Sequence, residues 1–405
     1  MEIRPILSSL QRHKTAAALI VLEIALSCAI ICNALFVVGS RVASMQRGSG
    51  IVEDELVFLS VSSLTPDRNA DAARREDLAA LSAVPGVKSA SSVNQIPYGG
   101  NVWVSDINLS PEQSAAALNA AIYMDDGRLV DTLGLRIVEG RAFGPDDYLD
   151  MSAFESSDAP QIASVILTRS VAERLFPGEP AVGKTLYGLW GDGPKRVVGM
   201  IDDLLSPESA QTPAESYRSV LLPVRVSNGD YALRTDPGRR QEVLQAAVAA
   251  LNAVDPNRLI SEQRTVADMR RDFYSRDRAV VWLLVAVSVA LLGVTAFGIV
   301  GLASFWVQQR TKQIGVRRAL GATRSQILRY FQTENALLTT LGIGFGMLLA
   351  YGVNQWLMAH YELPRLPLYY LPVGALVLWL LGQLAVLGPA RRAAAVPPAI
   401  ATRTA

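Results

Sequence analysis

The chain has 405 residues, half of them hydrophobic, and its 38 basic and 37 acidic side chains give a formal net charge of +1. This balance lacks the basic excess of a nucleic-acid-binding protein, and we expect no nucleic-acid partner. The mean hydropathy of +0.24 is high for a soluble protein, because the sequence contains apolar runs long enough to cross hydrocarbon.

The first apolar run covers residues 16–39 and follows the basic side chains of Arg12 and Lys14. A cleaved signal peptide is one alternative, but the run is too long for its apolar region and lacks a small-residue cleavage site. A lipoprotein site at Cys28 is another, but more than two turns of apolar sequence follow that residue. An uncleaved transmembrane helix is therefore favoured.

One acidic residue, Glu23, lies within this run. A charged group at the centre of a membrane helix costs about 2.5–3.5 kcal/mol on insertion scales, so we expect Glu23 to face protein. A hydrogen bond between helices is favoured over a proton relay, because the other three runs contain no charged residue. The only two cysteines, Cys28 and Cys32, also lie here, so the following domain contains no disulfide.

The long segment 40–278 predicts an α+β domain of two lobes. Strand, helix and strand patterns follow each other in "ELVFLSV", "DAARREDLAALSAV" and "PGVKSASSV", and again in "DYALRT", "RRQEVLQAAVAALNAV" and "DPNRLISEQ". Such β-α-β units pack two helices on a shared sheet. Residues 122–226 are rich in short strands and Gly/Pro turns and are interpreted as an insertion.

The stretch "GEPAVGKT", Gly178 to Thr185, has the spacing of a phosphate-binding loop. A true loop follows a strand and opens a helix. Here a helical pattern precedes the stretch and a strand pattern follows it, so we interpret the match as coincidental and Lys184 as solvated.

The domain contains no histidine and no cysteine. It cannot build a Ser-His-Asp or Cys-His site, or a His-ligated metal centre. The carboxylate pairs Asp125/Asp126, Asp146/Asp147 and Asp202/Asp203 are interpreted as solvated or turn-forming residues. We expect no catalytic residue, cofactor or metal in this chain.

Three uncharged apolar runs follow at residues 279–307, 336–359 and 368–388. The polar segment 261–278 has a helical composition and is expected to extend the second span as a stalk. The third span contains a G-x-x-x-G pattern at Gly342 and Gly346, which permits close helix packing. Flexibility of a lipid-facing helix is the alternative explanation.

Charge predicts the orientation of the four spans. Basic residues concentrate in the segments 1–15, 308–335 and 389–405, which we expect in the cytoplasm. The middle segment has a single acid, Glu334, and six basic residues: Arg310, Lys312, Arg317, Arg318, Arg324 and Arg329. The loop 360–367 and the domain 40–278, where acidic residues outnumber basic ones, are then outside.

We call residues 310–331 the elbow. A helix is expected to end near Gly321, and Thr323 is placed to cap a second helix with Ile327, Leu328 and Phe331 on one face. On these residues alone the elbow is either a membrane-surface anchor or a docking segment.

The elbow resembles that of the MacB/FtsX-type permeases of ABC transporters, also called type VII transporters. Their pattern R-x-x-E-I-G-[VI]-R-[RK]-A-[LI]-G-A is matched from Arg310 to Ala322, except that Gln313 replaces the usual Glu. "VPGVKSAS", "LGLRIVEGRAF" and "RLFPGEPAVGKTL" are similar to the periplasmic domain of the same family. The resemblance implies a membrane α-helical fold with four transmembrane helices and a large α+β periplasmic domain inserted between the first and second spans.

The resemblance also implies a non-catalytic permease of the bacterial inner membrane. Its partners would be a separate cytoplasmic ABC ATPase dimer, a second permease chain, identical or different, and an adaptor with an outer-membrane channel. The residues expected to couple to the ATPase are Gln313, Gly315, Arg317, Arg318, Ala319, Leu320 and Gly321, and those expected in helix packing are Gly342, Gly346 and Glu23.

Three functions are compatible with this family resemblance. The first is export or efflux of a periplasmic substrate, in which the stalk carries ATPase motion to the periplasmic domain by mechanotransmission. The second is FtsX-like regulation of a cell-wall hydrolase without transport, and the third is lipoprotein extraction like that by LolC or LolE. The two-lobed domain with its insertion favours a MacB-like protein over FtsX.

Overall fold

A computed structural model describes residues 14–64, 69–113, 115–155, 160–191, 193–207, 213–361 and 366–397 of the protein. The chain divides into two compact units, which we call the membrane unit (Met1–Met45 with Asp277–Ala405) and the sheet unit (Gln46–Arg276). Most of the predicted amino-terminal segment, part of the loop 360–367 and the end of the predicted tail lie outside the described residues.

The helices and strands are numbered in chain order. They are α1 (Lys14–Met45), β1 (Leu56–Ser63), α2 (Ala70–Ser82), β2 (Val87–Ser92), β3 (Val104–Asn108), β4 (Leu118–Met124), α3 (Leu129–Leu133), β5 (Ile137–Gly140), β6 (Leu149–Asp150), β7 (Ser164–Thr168), α4 (Arg169–Leu175), β8 (Thr185–Gly188), β9 (Lys195–Ile201), α5 (Pro213–Ser216), β10 (Ser219–Leu222), β11 (Val224–Arg225), β12 (Asp230–Thr235), α6 (Arg240–Val254), β13 (Arg258–Thr265), α7 (Val266–Phe273), α8 (Ser275–Gln309), α9 (Thr311–Ala319), α10 (Arg324–Tyr361) and α11 (Tyr370–Ala395).

Four helices of the described chain, α1, α8, α10 and α11, are long and apolar enough to cross a membrane. They contain 32, 35, 38 and 26 residues. At a rise of about 1.5 Å per residue, each exceeds the roughly 30 Å of hydrocarbon. The four-span prediction is confirmed, and α10 begins well before the predicted third span, so much of the segment 308–335 is helical.

Glycines allow α10 to approach α1 closely. A Cβ atom built on Gly342 would lie 2.8 Å from Cβ of Ile24, and one on Gly346 would lie 2.5 Å from Cβ of Cys28. Real Cβ atoms do not come this close to other carbons, so a larger residue at either position would separate the helices. In the same way, Sγ of Cys32 fills the space above Gly374 of α11.

Polar side chains of α1 face α8. A Cβ atom on Gly298 of α8 would lie 2.6 Å from either carboxylate oxygen of Glu23. One turn further along α1, the hydroxyl oxygens of Ser27 and Thr295 are 2.8 Å apart. The structure thus places Glu23 between these two helices.

In the sheet unit, a four-stranded antiparallel sheet has the order β13-β1-β12-β2. It contains both predicted β-α-β segments, which are thereby confirmed as halves of one sheet. Alternate residues of β1, namely Val57, Leu59 and Val61, belong to one core with Leu81 of α2 and Leu251 of α6. This alternation is what a strand with one face on the helices requires.

The second sheet closes on itself. Its order is β5-β9-β7-β10-β4-β3-β8, and β8 also pairs with β9, so six strands form a barrel with β5 attached at β9. The interior is apolar, and Val165, Leu167, Leu186 and Val220 are fully buried there. The barrel begins at β3, before the predicted insertion 122–226, because β3 pairs with β4.

The predicted stalk at 261–278 is not one helix. Ser261 to Thr265 are the end of β13, an edge strand whose residues alternate in burial along β1. Helix α7 then begins after Thr265, whose side chain accepts a hydrogen bond from the Asp268 amide. The buried Tyr274 separates α7 from α8. The strand forms because polar residues suit an edge strand with one solvent-facing side.

Two consecutive carboxylates connect the lobes of the sheet unit. Asp125, at the end of β4, accepts hydrogen bonds from the amides of Gly127 and Leu129 at 2.8 and 3.0 Å. Asp126 accepts from the Ser92 amide at 2.8 Å and from the Ser91 hydroxyl at 2.8 Å, both on β2. Their side chains therefore fix a turn between the barrel and the four-stranded sheet.

We expect Gly346→Ala to destabilise the membrane unit, because the added methyl group has no space beside Cys28. Overpacking of this kind typically costs about 1–3 kcal/mol. The matched control is Gly344→Ala on the same helix, where a Cβ atom meets nothing within 4 Å. Thermal unfolding in detergent should show a loss for Gly346→Ala alone, and equal melting temperatures for both variants would contradict the packing described.

A second prediction concerns pH. Burial raises the pKa of Asp125 to about 6, and the adjacent Asp126 carboxylate adds to the shift. Because this pKa exceeds the value of about 3.9 in an unfolded chain, the contribution to stability is fully present below about pH 4 and is lost as the pH rises through about 6.

Asp125→Asn retains an acceptor for both amides and stays neutral, so it should exceed the wild type in stability by about 1–3 kcal/mol at pH 8. The difference should vanish towards pH 4. Denaturant unfolding of both proteins between these values measures it, and a pH-independent difference would refute the assignment.

Candidate functional site

The elbow follows the second membrane helix with only one residue of interruption. Arg310 stands between α8 and α9 with φ −102° and ψ 10°. Backbone hydrogen bonds continue on both sides, from the Arg310 amide to Trp306 O at 3.1 Å and from the Ile314 amide to Arg310 O at 2.9 Å. The direction of α9 is therefore set at Arg310.

The side chain of Arg310 is buried in an ion pair with Glu334 of α10. Its Nη1 atom lies 3.0 Å from Oε1 and 2.9 Å from Oε2 of the carboxylate. The two side chains are 11% and 2% exposed, and the guanidinium lies 5.7 Å from the ring centroid of Trp306. The break between α8 and α9 is thus joined directly to α10.

The inner face of α9 packs against the two following helices. Ile314 belongs to an apolar cluster that contains Ile327 and Phe331 of α10 and Ala390 and Ala393 of α11. This confirms the predicted apolar face of the helix after Thr323.

Arg318 fixes α9 to the end of α11. Its Nη1 atom donates to the carbonyl oxygens of Ala394 and Val396 at 3.1 and 2.7 Å. A cation at the carboxyl end of a helix also interacts favourably with the helix dipole. The Arg318 side chain is therefore fixed by hydrogen bonds to the end of α11 and is not free in solvent.

The turn between α9 and α10 uses two standard caps. Gly321, at φ +94°, donates to Arg318 O, and the Ala322 amide donates to Arg317 O, which is the Schellman pattern that favours glycine. Thr323 then caps α10: its hydroxyl accepts from the Gln326 amide at 3.3 Å, and its own amide donates to Gln326 Oε1 at 2.8 Å. Both predicted boundaries of the turn are confirmed.

The outer face of α9 exposes apolar and cationic groups together. Leu320 is 83% exposed and Val316, one turn before it, is 52% exposed. Gln313 and Arg317 flank them and are exposed, and the Arg317 guanidinium lies 5.1 Å from the ring centroid of Tyr330. Because they are four positions apart, Val316 and Leu320 lie next to each other on this face, with polar groups around them.

The predicted coupling residues therefore separate into two groups. Those exposed on or beside α9 are Gln313, Arg317, Ala319, Leu320 and Gly321, whereas Gly315 is buried and Arg318 is half-buried. Three residues that position or form this surface were absent from the prediction: Arg310, Glu334 and Val316. The solitary acid among six bases in 308–335 was a signal for the ion pair.

The phosphate-loop match has the wrong local structure for nucleotide binding. Helix α4 precedes it and β8 follows it, the reverse of the required order. Nζ of Lys184 lies 2.6 Å from Oε2 of Glu179, and both side chains are exposed. The interpretation as turn residues with a solvated lysine is confirmed.

In the other two carboxylate pairs, one member has structural partners. Asp202 binds the guanidinium groups of Arg136 and Arg169, whose hydrogen bonds hold the pKa of that carboxyl below its usual range. Asp147 accepts from the Gly144 amide and the Ser164 hydroxyl. Among the described residues, no group of three or more His, Cys, Asp or Glu side chains has a metal-binding arrangement.

Four membrane-length helices, with an α+β domain between the first two and an ordered elbow after the second, define a polytopic membrane protein. The chain belongs to the MacB/FtsX-type permeases of ABC transporters: the MacB-like periplasmic core domain family matches residues 17–251, more than half of the chain, and the FtsX-like permease C-terminal family matches residues 285–398.

Curated relatives agree with this family. The macrolide export ATP-binding/permease protein MacB of Bradyrhizobium diazoefficiens is 28% identical over 321 residues, which are 78% of this chain and 45% of that protein. The uncharacterised ABC transporter permease YvrN of Bacillus subtilis is 24% identical over 271 residues, 63% of each chain. The chain spans between 33% and 45% of the length of four MacB relatives that it matches.

A solved structure also matches. The periplasmic region of MacB from Actinobacillus actinomycetemcomitans aligns with 57% of this chain and 97% of that chain, at 14% sequence identity and a TM-score of 0.33.

We expect Lys184→Ala to leave the protein nearly unchanged. An exposed ion pair contributes about 0–1 kcal/mol, and the loop has no phosphate-binding geometry to lose. Fluorescent ATP should bind neither the purified wild-type chain nor the variant in an anisotropy titration. Saturable binding that disappears in Lys184→Ala would show that the loop holds nucleotide after all.

Proposed function

We propose that this protein is the permease subunit of an ABC transporter in the bacterial inner membrane and drives export or efflux of a periplasmic substrate. A cytoplasmic ATPase docks on the elbow, and its motion passes through the membrane helices to the sheet unit by mechanotransmission. The observation that carries the proposal is the exposed apolar pair, Val316 and Leu320, on a helix whose opposite face packs against α10 and α11.

The geometry of α9 favours docking over a loose anchor. A surface anchor needs only an amphipathic helix with its apolar face in the lipid. In α9 the inner apolar face, with Ile314, packs on α10 and α11, and the exposed pair lies at the carboxyl end next to a capped turn. A rigid, protruding apolar contact suits a groove in a protein partner.

We assign ATP hydrolysis to separate ATPase subunits, acting as a dimer. The support is the reversed order of elements around the phosphate-loop match and the solvated ion pair of Lys184. Two ATPase subunits would require two elbows, and therefore a second permease chain, identical or different. The permease itself is then non-catalytic and needs no cofactor.

The basic segments support the orientation with the elbow in the cytoplasm and the sheet unit in the periplasm. An adaptor and an outer-membrane channel would complete an export path. The MacB relatives are named for macrolide export. Gln313 is exposed at the docking face, where a neutral side chain removes one ion pair that the usual glutamate could offer.

We expect Leu320→Asp to abolish ATPase binding without unfolding the permease. The side chain is already 83% exposed, so the fold loses little, whereas a carboxylate in a closed apolar contact is left unpaired and commonly costs more than about 2 kcal/mol. Co-purification of the ATPase and its hydrolysis rate in nanodiscs measure the effect.

The matched control is Ser325→Asp, which adds the same charge at an exposed position in the first turn of α10, where an acid is favourable. It should retain the ATPase. Full ATPase binding and stimulation in Leu320→Asp would contradict docking at the elbow and favour the alternative, a positively charged membrane anchor.

A further inference from the structure

The residue at the break between α8 and α9 also has a side chain that is buried in an ion pair. A break of one residue is a natural pivot, because few backbone torsions need to change for α9 to move against α8. Here the pivot residue, Arg310, is tied to Glu334 through both carboxylate oxygens. The pivot is therefore tied to α10 by a side chain.

Stability alone is a weak reason for this ion pair. Taking two charges out of water is costly, and apolar residues of similar size are often equally stabilising. An ion pair instead fixes the relative position of its two side chains, because separating them leaves each charge buried without its partner. The pair thus penalises any movement of α9 that separates Arg310 from α10.

A small cavity lies beside the ion pair and contains further polar groups. Trp306, Phe331, Glu334 and Asn335 line a cavity of about 10 Å3, which is close to the minimum volume for one water molecule. Nε1 of Trp306 is buried without a hydrogen-bond partner among the described residues. A water in the cavity would let the indole N–H and the carboxylate share one polar cluster at the pivot.

We propose that Arg310 and Glu334 are positioning residues that lock the pivot, so that α8, α9 and the first part of α10 move as one lever. The lock is a property of the permease by itself. Its consequence for coupling rests on the proposed function: a force on the outer face of α9 reaches the membrane helices only when the pivot does not bend.

The lock is tested first without any ATPase. Spin labels are placed at the exposed positions Gln309 on α8 and Ser325 on α10. The background carries Cys28→Ala, which keeps the Cβ atom beside Gly346, and Cys32→Ser, whose hydroxyl oxygen replaces the sulfur beside Gly374. Double electron–electron resonance in nanodiscs should give one narrow distance distribution for the locked protein.

The main variant is Arg310→Met/Glu334→Leu, which replaces both charged side chains by apolar ones. We expect a distribution at least twofold wider at an unchanged melting temperature. Arg310→Lys, which keeps the charge but replaces the planar guanidinium by an ammonium group, should give an intermediate width. Arg329→Met is the matched control, an exposed arginine on α10, and should keep the narrow distribution.

The second measurement adds the ATPase. The double variant should still co-purify with it, because Val316 and Leu320 are unaltered, but should lose at least fivefold of the permease-dependent stimulation of hydrolysis. If the wild type itself binds no ATPase, the proposed function is wrong. The distance measurement still shows whether the ion pair restricts movement at the pivot.

A narrow distribution in a folded double variant would overturn the lock, and so would full stimulation in the presence of bound ATPase. If the double variant does not fold, Glu334→Asp takes its place, because it keeps the charge and shortens the side chain by one carbon. Failure of both to fold would make the pair a folding element, and the proposal would be wrong.

Discussion

Close packing of α1 against α10 is the contact on which the rest of the membrane unit depends. Lipid tails are as apolar as leucine side chains, so helices in a membrane are not driven together by the hydrophobic effect and must gain from van der Waals contact. Gly342 and Gly346 let the backbone of α10 come against Ile24 and Cys28. Without this approach, α10 would lose its most extensive contact in the membrane unit.

The position of α10 then determines that of the elbow. The same helix carries Ile327 and Phe331, which receive α9, and Glu334, which holds Arg310. The amino-terminal helix and the elbow do not need to touch for one to influence the other, because both are packed on α10. A chain of rigid contacts of this kind can carry a displacement, provided that each contact has a defined alternative arrangement.

Much of this architecture could be predicted from local sequence signals. Long apolar runs identify the spans, because only helices or closed barrels satisfy backbone groups in hydrocarbon. The turn at Gly321 and the cap at Thr323 follow from residue chemistry at single positions. The two β-α-β segments are readable because strand and helix periodicities alternate along the chain.

Features that depend on distant pairing could not be read in this way. Closure of the barrel requires β8 to meet β9 as well as β3, and nothing within Thr185–Gly188 specifies two partners. The segment from Ser261 was misread because its polar residues fit both a solvated helix and an edge strand. The solitary acid Glu334 indicated an ion pair but not which of the six basic residues is its partner, because Arg310 lies 24 positions away along the chain. The break at Arg310 has neither proline nor glycine to indicate it.

Barrel closure has a consequence for recognition by other proteins. Each of its six strands has hydrogen-bonded neighbours on both sides, so the barrel gives an incoming peptide no free backbone edge to extend. In the four-stranded sheet, β13 is an outer strand, but it carries Arg258, Glu262 and Arg264, and charged side chains discourage strand addition. A protein that binds the barrel wall or β13 must therefore recognise side chains and surface shape, which makes its specificity sensitive to substitutions at the surface rather than to backbone geometry.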